Sequence, residues 1–250
     1  MGYNWHESKM RKHLFILSTL VLFALCGCNK MAGDPISKDF SIDGSYTELQ
    51  VENGFDVTVS DVATAITVTA GENVMPNVMV EIVGNKLRIH LKPMSNSYGS
   101  EMKVTLPYNV NLTNVDLSGG SEFHSEYGLD DEKIEVDLSG GSKIKSVVSA
   151  TDLDLELSGG SDAILEGQVV KLEINLTGGS NIMKKVVDSR YALVCDRCEG
   201  VMSGGSDAYI HCDGSIKVNL SGGSELHYTG NAATTGSNCS GGSEISHDVL

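Results

Sequence analysis

The chain has 250 residues, enough for one or two domains with a hydrophobic core, and it is acidic, with 33 Asp and Glu residues against 18 Lys and Arg residues and a formal net charge of -15. A charge of this sign excludes a protein that holds nucleic acid by neutralising phosphates, and it disfavours electrostatic attachment to anionic lipid. An acid-rich surface favours solubility and attracts cations only weakly.

The first residues have the organisation of a secretory signal. Arg11 and Lys12 precede an apolar run over 14–25, which is too short for a transmembrane helix because such a helix needs about 20 apolar residues. No other stretch is as apolar, so we expect no membrane-spanning segment. The signal is complete from Met10 onward, which makes Met10 the expected start and 1–27 the expected cleaved segment.

The signal ends in Leu25-Cys26-Gly27-Cys28, which resembles the lipobox of bacterial lipoproteins, where the cysteine at the cut becomes the acylated N-terminus. Cys28 is the predicted lipid anchor, since small Gly27 precedes it whereas bulky Leu25 precedes Cys26. Residues 28–35 then form the anchor and a short linker. The alternative is an ordinary cleaved signal whose cysteines are coincidental.

Cleavage before Cys28 changes the composition of the mature chain. The mature chain has 32 acidic and 15 basic side chains, a net charge of -17, once the cut removes Glu7, Lys9, Arg11 and Lys12. Trp5, the single tryptophan, is removed as well. The predicted location is the bacterial outer membrane, lipid-anchored, and the linker lacks an acidic export cluster, which leaves the periplasmic and the external face both open.

Residues 36–107 are predicted to form short β-strands. Apolar and polar residues alternate over 55–59, 66–68, 87–91 and 102–106, which places the apolar side chains of each strand on one face. Gly84-Asn85, between two such runs, is a hairpin signal. No segment of this region has helical spacing.

From residue 108 to 250 one tetrapeptide dominates. Seven copies of Ser/Thr-Gly-Gly-Ser, at intervals of 21, 19, 19, 26, 18 and 19 residues, begin at Ser118, Ser139, Ser158, Thr177, Ser203, Ser221 and Ser240. The residue before each copy is apolar or cysteine, the one before that is mostly short and polar, and an apolar residue recurs two positions after the closing serine. Self-similarity at this period indicates stacked repeats.

Stacking of the repeats explains why the same residue types recur at these positions, since equivalent side chains then form columns. A repeat of about 19 residues can form two or three short strands joined by bends, and no single repeat can bury its apolar face alone. The predicted fold is therefore all-β: a right-handed parallel β-helix, or β-solenoid, of seven rungs over 108–250, with the strands of 36–107 packed against it or capping it. The predicted structural turn residues are Gly119, Gly120, Gly140, Gly141, Gly159, Gly160, Gly178, Gly179, Gly204, Gly205, Gly222, Gly223, Gly241 and Gly242.

The residue after each closing serine raises the question of a cation site. Asp162 and Asp207 occupy this slot, as do Glu122, Glu225 and Glu244, so an acidic ladder could collect divalent cations. A solvated outward column that keeps the solenoid soluble explains the same residues, and the calcium-binding nonapeptide pattern is missing. We therefore predict no metal and no cofactor.

Four cysteines remain after the signal: Cys195, Cys198, Cys212 and Cys239. Outside the cytoplasm an even number of cysteines favours disulfides, and four cysteines allow three pairings. Buried thiols are also compatible with the sequence. The Cys195-x-x-Cys198 spacing leaves zinc and redox chemistry as alternatives, but the second zinc cluster is incomplete and no helix follows the first.

These features together resemble the head GIN domain family of autotransporter adhesins, secreted or lipid-anchored proteins frequent in Bacteroidetes. The resemblance covers 40–250 and rests on the Ser-Gly-Gly-Ser rungs together with 52–59, 84–89 and 220–230. It implies a β-solenoid with an N-terminal β portion folded against it, and it supplies no catalytic residues. One departure is the longer rung between Thr177 and Ser203, which holds Cys195 and Cys198 and which we interpret as a lateral loop that a disulfide could staple.

The sequence is compatible with three functions. The first is a non-catalytic envelope lipoprotein for adhesion or surface interaction, whose partners are the membrane through its lipid anchor and an unidentified protein or glycan. The second is glycan binding, for which Tyr191, Tyr209 and Tyr228 in the later rungs are candidates, although their offsets from the turns differ.

The third function is a polysaccharide-active enzyme of the β-helix type. Such sites need converging carboxylates at a set separation, or a cation with a basic residue nearby. The acidic run 130–132 is expected in a connecting loop, and the mature chain contains only three arginines. The histidines of the repeat region occur singly, at His124, His211, His227 and His247. We therefore predict that the protein is not an enzyme.

Overall fold

The computed structural model describes residues 32–41 and 44–250, which form strands and a short 3-10 helix at Met75–Asn77, and this confirms the predicted all-β class. The first strands are β1 (Pro35–Phe40), β2 (Glu48–Val51), β3 (Asp56–Ser60), β4 (Ile66–Gly71), β5 (Val78–Val83), β6 (Lys86–Leu91), β7 (Lys103–Pro107), β8 (Asn114–Leu117) and β9 (Glu122–His124). They are followed by β10 (Leu129–Leu138), β11 (Lys143–Leu157), β12 (Asp162–Leu176), β13 (Asn181–Ile182), β14 (Val186–Val187), β15 (Arg190–Tyr191), β16 (Leu193–Met202), β17 (Asp207–Leu220), β18 (Glu225–Thr229), β19 (Asn238–Cys239) and β20 (Glu244–His247).

The repeats stack as parallel strands. β11 pairs with β12 in parallel from Lys143 opposite Asp162 to Leu157 opposite Leu176, so equivalent positions of successive repeats lie side by side. The same register extends through β10, β16, β17 and β18. The residues before the turns are buried as one column, formed by Leu117, Leu138, Leu157, Leu176, Met202 and Leu220. A second buried column follows the turns and contains Phe123, Ile144, Ala163, Ile182, Ala208 and Leu226.

The Ser/Thr-Gly-Gly-Ser turns form the corners between the two columns. All fourteen glycines have φ between 63° and 80°, in the left-handed region that glycine adopts without steric cost. In the first six turns the closing serine is fully buried and its hydroxyl donates to the carbonyl of the opening residue, as in Ser142 to Ser139 at 2.7 Å and Ser161 to Ser158 at 2.8 Å. Each buried hydroxyl is thereby paired within its own corner.

The stack begins earlier than the repeat signature indicates. β2 and β3 pair in parallel with β8 and β9, so the four residues 52–55 occupy a corner directly above the first Gly-Gly turn. Asn53 and Gly54 have φ of 70° and 80° there, which matches the glycine pair below. The amide of Gly54 donates to the Ser121 hydroxyl at 3.1 Å. Residues 36–107 and 108–250 therefore share one continuous sheet.

One further rung lies above this corner. β6 and β7 pair in parallel with β2 and β3, and the segment 92–102 connects them. The antiparallel strands β5 and β4 cover the outer edges of β6 and β7, and β1 pairs with β4. Within the N-terminal region, β2, β3, β6 and β7 thus form the first two rungs, and β1, β4 and β5 cap that end of the stack.

The longest repeat contains a lateral hairpin. β14 and β15 pair antiparallel outside the stack, with Val186 opposite Tyr191. Cys195 and Cys198 lie instead on β16, which pairs with β12 and β17 inside the stack and buries both cysteines. The extra residues of this rung are therefore those of the hairpin, and the cysteines belong to the regular strand.

Candidate functional site

A column of polar side chains occupies the strand positions just before the leucine column, with Asp116 and Asp137 half-buried and Glu156 and Asn175 exposed. Asp137 pairs with Asp116 on one side and with Glu156 on the other, and Glu156 pairs with Asn175. The Asp116 carboxylate accepts a hydrogen bond from Gln50 at 3.0 Å. These side chains line a shallow groove of about 180 Å³. Three carboxylates on neighbouring strands thus face the same groove.

The groove perturbs its central carboxylate. Partial burial, reinforced by the negative charges of Glu156 and Asp116, raises the pKa of Asp137 from its ordinary value of 3.8 to about 6. Burial also raises the pKa of Asp116. Because these like charges lie opposite one another on neighbouring strands, their repulsion lowers the stability of the folded state. Protonation of a carboxylate in the column reduces this repulsion.

Replacing Asp137 with asparagine is expected to stabilise the protein at pH 7. A pKa raised in the folded state contributes stability that is fully present below pH 3.8 and is lost as the pH rises through about 6. After allowance for solvent screening of this half-exposed group, the gain at pH 7 is about 1 kcal/mol. Denaturation measured from pH 4 to 8 tests this, with Asp130→Asn on the exposed part of the same strand as control. An equal gain at pH 4 and pH 7 would contradict it.

The slot after the closing serines is not a continuous acidic ladder. Lys143 pairs with Glu122 and Asp162, and Asn181 separates Asp162 from Asp207. Asn181 also donates to the Asp162 carboxylate at 2.9 Å. Within 32–41 and 44–250 no group of three His, Cys, Asp or Glu side chains is arranged to hold a metal ion.

The candidate tyrosines do not form one exposed strip. Tyr191 is fully buried and meets Tyr209 edge-on at 5.4 Å between ring centroids. Tyr209 stacks on His227 at 4.7 Å with an interplanar angle of 6°, and Lys184 lies over the Tyr209 ring at 5.6 Å. The faces that a sugar ring would contact are therefore engaged by neighbouring side chains.

The third tyrosine belongs to another environment. Tyr228 pairs with buried Ile210 and packs against the core, with the ring of His247 4.9 Å away. His227 hydrogen-bonds Glu225 at 3.2 Å, and His211 hydrogen-bonds Thr229 at 2.9 Å and Asp213 at 3.2 Å. Of these contacts, the hydrogen bond from His211 to Thr229 joins the neighbouring strands β17 and β18, and the other two lie within one strand.

The acidic run at 130–132 was expected in a connecting loop, and this is wrong. Asp130, Asp131 and Glu132 lie on β10, where they are exposed. Strand pairing of Asp130 with Ser149 and Asp131 with Ala150 extends the parallel ladder through them. The sequence could not reveal this because three consecutive acidic residues lack the apolar alternation of a half-buried strand.

The cysteines of the stack are buried free thiols, whereas Cys239 is exposed. Cys195 pairs with Cys212 in the ladder between β16 and β17. The hydrogen bond between the two thiols, together with burial, raises the pKa of Cys195, and burial raises the pKa of Cys198. The Cys212 thiol also lies 3.3 Å from the Asp196 carbonyl.

The predicted signal and the lipid anchor Cys28 lie outside the described residues. In the described part of the chain, no helix is long and apolar enough to cross a membrane.

Comparison with solved structures identifies proteins of the same fold. A putative adhesin from Bacteroides fragilis matches with a TM-score of 0.66 and 17% identity, over 86% of this chain and 96% of that one. A putative adhesin from Parabacteroides distasonis matches with a TM-score of 0.65 and 18% identity, over 86% and 98%. A protein from the same species named as a putative lipid binding protein matches with a TM-score of 0.64 and 19% identity, over 86% and 97%.

The sequence itself matches a family model. A comparison with curated proteins finds no match. The model described as putative auto-transporter adhesin, head GIN domain, matches residues 45–232, which include the strands from β2 to β18 and six of the seven Gly-Gly turns. The chain therefore belongs to the head GIN domain family of putative auto-transporter adhesins.

Proposed function

We propose that the protein is a non-catalytic lipoprotein of the outer membrane that serves as an adhesion module on the cell surface. Membership of the head GIN domain family supports this function. The observation that favours it most is the stack itself, which buries its apolar columns and presents regular rows of polar side chains outward. Such extended surfaces suit docking of a partner.

The anchor is tested with matched cysteine variants. The chain is expressed in a bacterium that processes lipoproteins, and membrane and soluble fractions are compared for Cys28→Ser and Cys26→Ser. We expect Cys28→Ser to lose its acyl chains and its membrane association, because acylation supplies the hold on the bilayer. Cys26→Ser is expected to remain acylated, as seen in the mass of its N-terminal peptide. The opposite pattern would contradict anchoring at Cys28.

We propose further that the parallel strands wind as a right-handed β-helix, to which 36–107 contributes the first two rungs and the capping strands β1, β4 and β5. Connections between parallel strands of one sheet are right-handed in about 98% of proteins, which supports this sense of winding. An experimental structure that showed left-handed winding would contradict it.

During secretion the chain would meet disulfide-bearing oxidants before folding buries its thiols. We expect Cys195 and Cys212 to form a disulfide, since paired residues on neighbouring strands lie about 5 Å apart, within the range that a disulfide spans. The two thiols lose two protons and two electrons, and the oxidant's disulfide becomes two thiols. Tryptic digestion should then link 191–197 to 198–217, in the native chain and in Cys198→Ala. Persistence of this link in Cys212→Ala, or four free thiols in the secreted protein, would contradict the pairing.

A further inference from the structure

An enlarged corner protrudes from the capped end of the stack. Thirteen residues, 90–102, connect Ile89 of β6 to Lys103 of β7, whereas the four residues 52–55 connect the paired positions on β2 and β3. The protrusion exposes two large side chains, Met94 at 104% and Tyr98 at 61% of their reference areas. Neither side chain contributes to the core.

The backbone of this corner is costly to form. Met94 has φ of 64°, and a residue other than glycine in the left-handed region costs about 1 kcal/mol or more. The start of the loop is nevertheless fixed, since the Lys92 amide donates to the Asn77 carbonyl at 2.9 Å and the Lys92 ammonium group donates to the Pro76 carbonyl at 2.8 Å. A strained and fully exposed methionine on a fixed loop is unexplained by folding alone.

The loop lies beside the point where the chain enters the described structure. The amide of Gly71 donates to the Ser100 hydroxyl at 2.9 Å. The amide of Asn73 donates to the Ala32 carbonyl at 3.0 Å, and the amide of Glu72 donates to the Asp34 carbonyl at 2.9 Å. The segment 71–77 therefore joins the loop on one side to the first described residues on the other.

We propose that the corner formed by 90–102 contacts the membrane, with Met94 and Tyr98 entering the headgroup region of the bilayer. The inference rests on the proposed anchor at Cys28, which is four residues from Ala32. A chain of this length spans at most about 14 Å, so an acylated Cys28 holds the capped end against the lipid surface. The lipid surface is therefore the partner that the anchored chain itself places beside the capped end.

The chemistry of the loop fits a lipid surface. Tyrosine is enriched where membranes meet water, methionine adapts to apolar surroundings, and lysine places its stem among apolar groups while its charge stays in water. Glu101 is paired with Lys103 at 2.9 Å, so its charge is balanced. The contact therefore relies on apolar burial and needs no anionic lipid.

This orientation determines which part of the protein is displayed. Nine corners follow one another from the enlarged corner to the last Gly-Gly turn, and neighbouring strands are about 4.8 Å apart, so the far end stands roughly 40 Å from the capped end. The last rungs are then presented farthest from the membrane.

The mature chain lacks tryptophan, so one introduced tryptophan reports its own environment. Acylated Met94→Trp and Tyr98→Trp are reconstituted into vesicles of phosphatidylcholine with and without brominated acyl chains. Val249→Trp is the control, because Val249 is 92% exposed and lies near the far end of the stack. Bromine is expected to quench the fluorescence of both loop variants by about half or more and to leave the control unchanged, since only interfacial side chains reach the acyl chains.

The outcomes separate the docking contact from the anchor. Flotation of the vesicles shows first whether the acylated protein is bound to them, and failure to float would overturn both the anchor and the contact. Flotation with unquenched tryptophan at 94 and at 98 would overturn the contact alone. Equal quenching of Val249→Trp would also overturn it, because the stack would then lie along the surface. The two loop variants guard against misfolding of either one.

Discussion

Gly200→Ala is expected to lower the free energy of unfolding by about 4 kcal/mol or more. Gly200 lies within β16, two residues before its end, with φ of 140°, a backbone conformation that L-residues rarely adopt. A Cβ atom there would lie 1.9 Å from the carbonyl oxygen of Ile174 on the paired strand β12. Since the obstacle is backbone, relief requires separation of two stacked rungs.

Gly205→Ala is the matched control in the same rung. Gly205 has φ of 75°, but a Cβ atom there meets no atom within 4 Å. Only the cost of the left-handed conformation remains, about 1–2 kcal/mol. Chemical denaturation of both variants, followed by far-ultraviolet circular dichroism, compares the two losses. Equal losses, or a smaller loss for Gly200→Ala, would contradict the close approach of β12 and β16.

Leu157→Ala is expected to cost about 3 kcal/mol. Leu157 is 1% exposed and lies in the apolar column between Leu138 and Leu176, with which it is in register. Removal of its side chain leaves a cavity bounded by leucines of two neighbouring rungs, and the rungs are held apart by their own hydrogen bonds. Truncation of a buried leucine costs about 2–5 kcal/mol when the site cannot collapse.

The same column provides its own control at the end of the stack. Cys239 follows Leu220 in register on β19, but it is exposed. Cys239→Ala should therefore change the free energy of unfolding by less than about 0.5 kcal/mol. Thermal and denaturant unfolding of both variants measure the difference. A comparable loss at both positions would contradict either the burial of Leu157 or the exposure of Cys239.

Much of the fold is predictable because local sequence and long-range pairing agree. The leucine before each turn and the apolar residue after it specify two inward columns, and their periodicity predicts the stacking of 108–250. The corner at 52–55 was missed because its left-handed residues are Asn53 and Gly54, and asparagine adopts this conformation without the Gly-Gly signature. The insertion of β2 between β6 and β8 depends on pairing of strands distant in sequence.

The functional features are also predictable only in part, because the residue types are visible in the sequence but their surroundings depend on strand pairing. The polar residue before each leucine is visible in the repeat, but the raised pKa of Asp137 comes first from its partial burial and then from the carboxylates that the strand register places beside it. The tyrosines are visible as residue types, whereas their burial and stacking depend on the lateral hairpin and the C-terminal rungs. Gly200 looks like any other strand glycine in the sequence, since its constraint is the carbonyl of Ile174.

The proposed display of the stack on the cell surface is tested most directly by protease treatment of intact cells. Trypsin has accessible sites in the lateral hairpin, where Lys184 and Arg190 are exposed. We expect trypsin to cleave the protein on intact cells while a periplasmic marker protein stays whole. A chain that stays whole on intact cells, and is cleaved only after the outer membrane is permeabilised, would contradict the adhesion function.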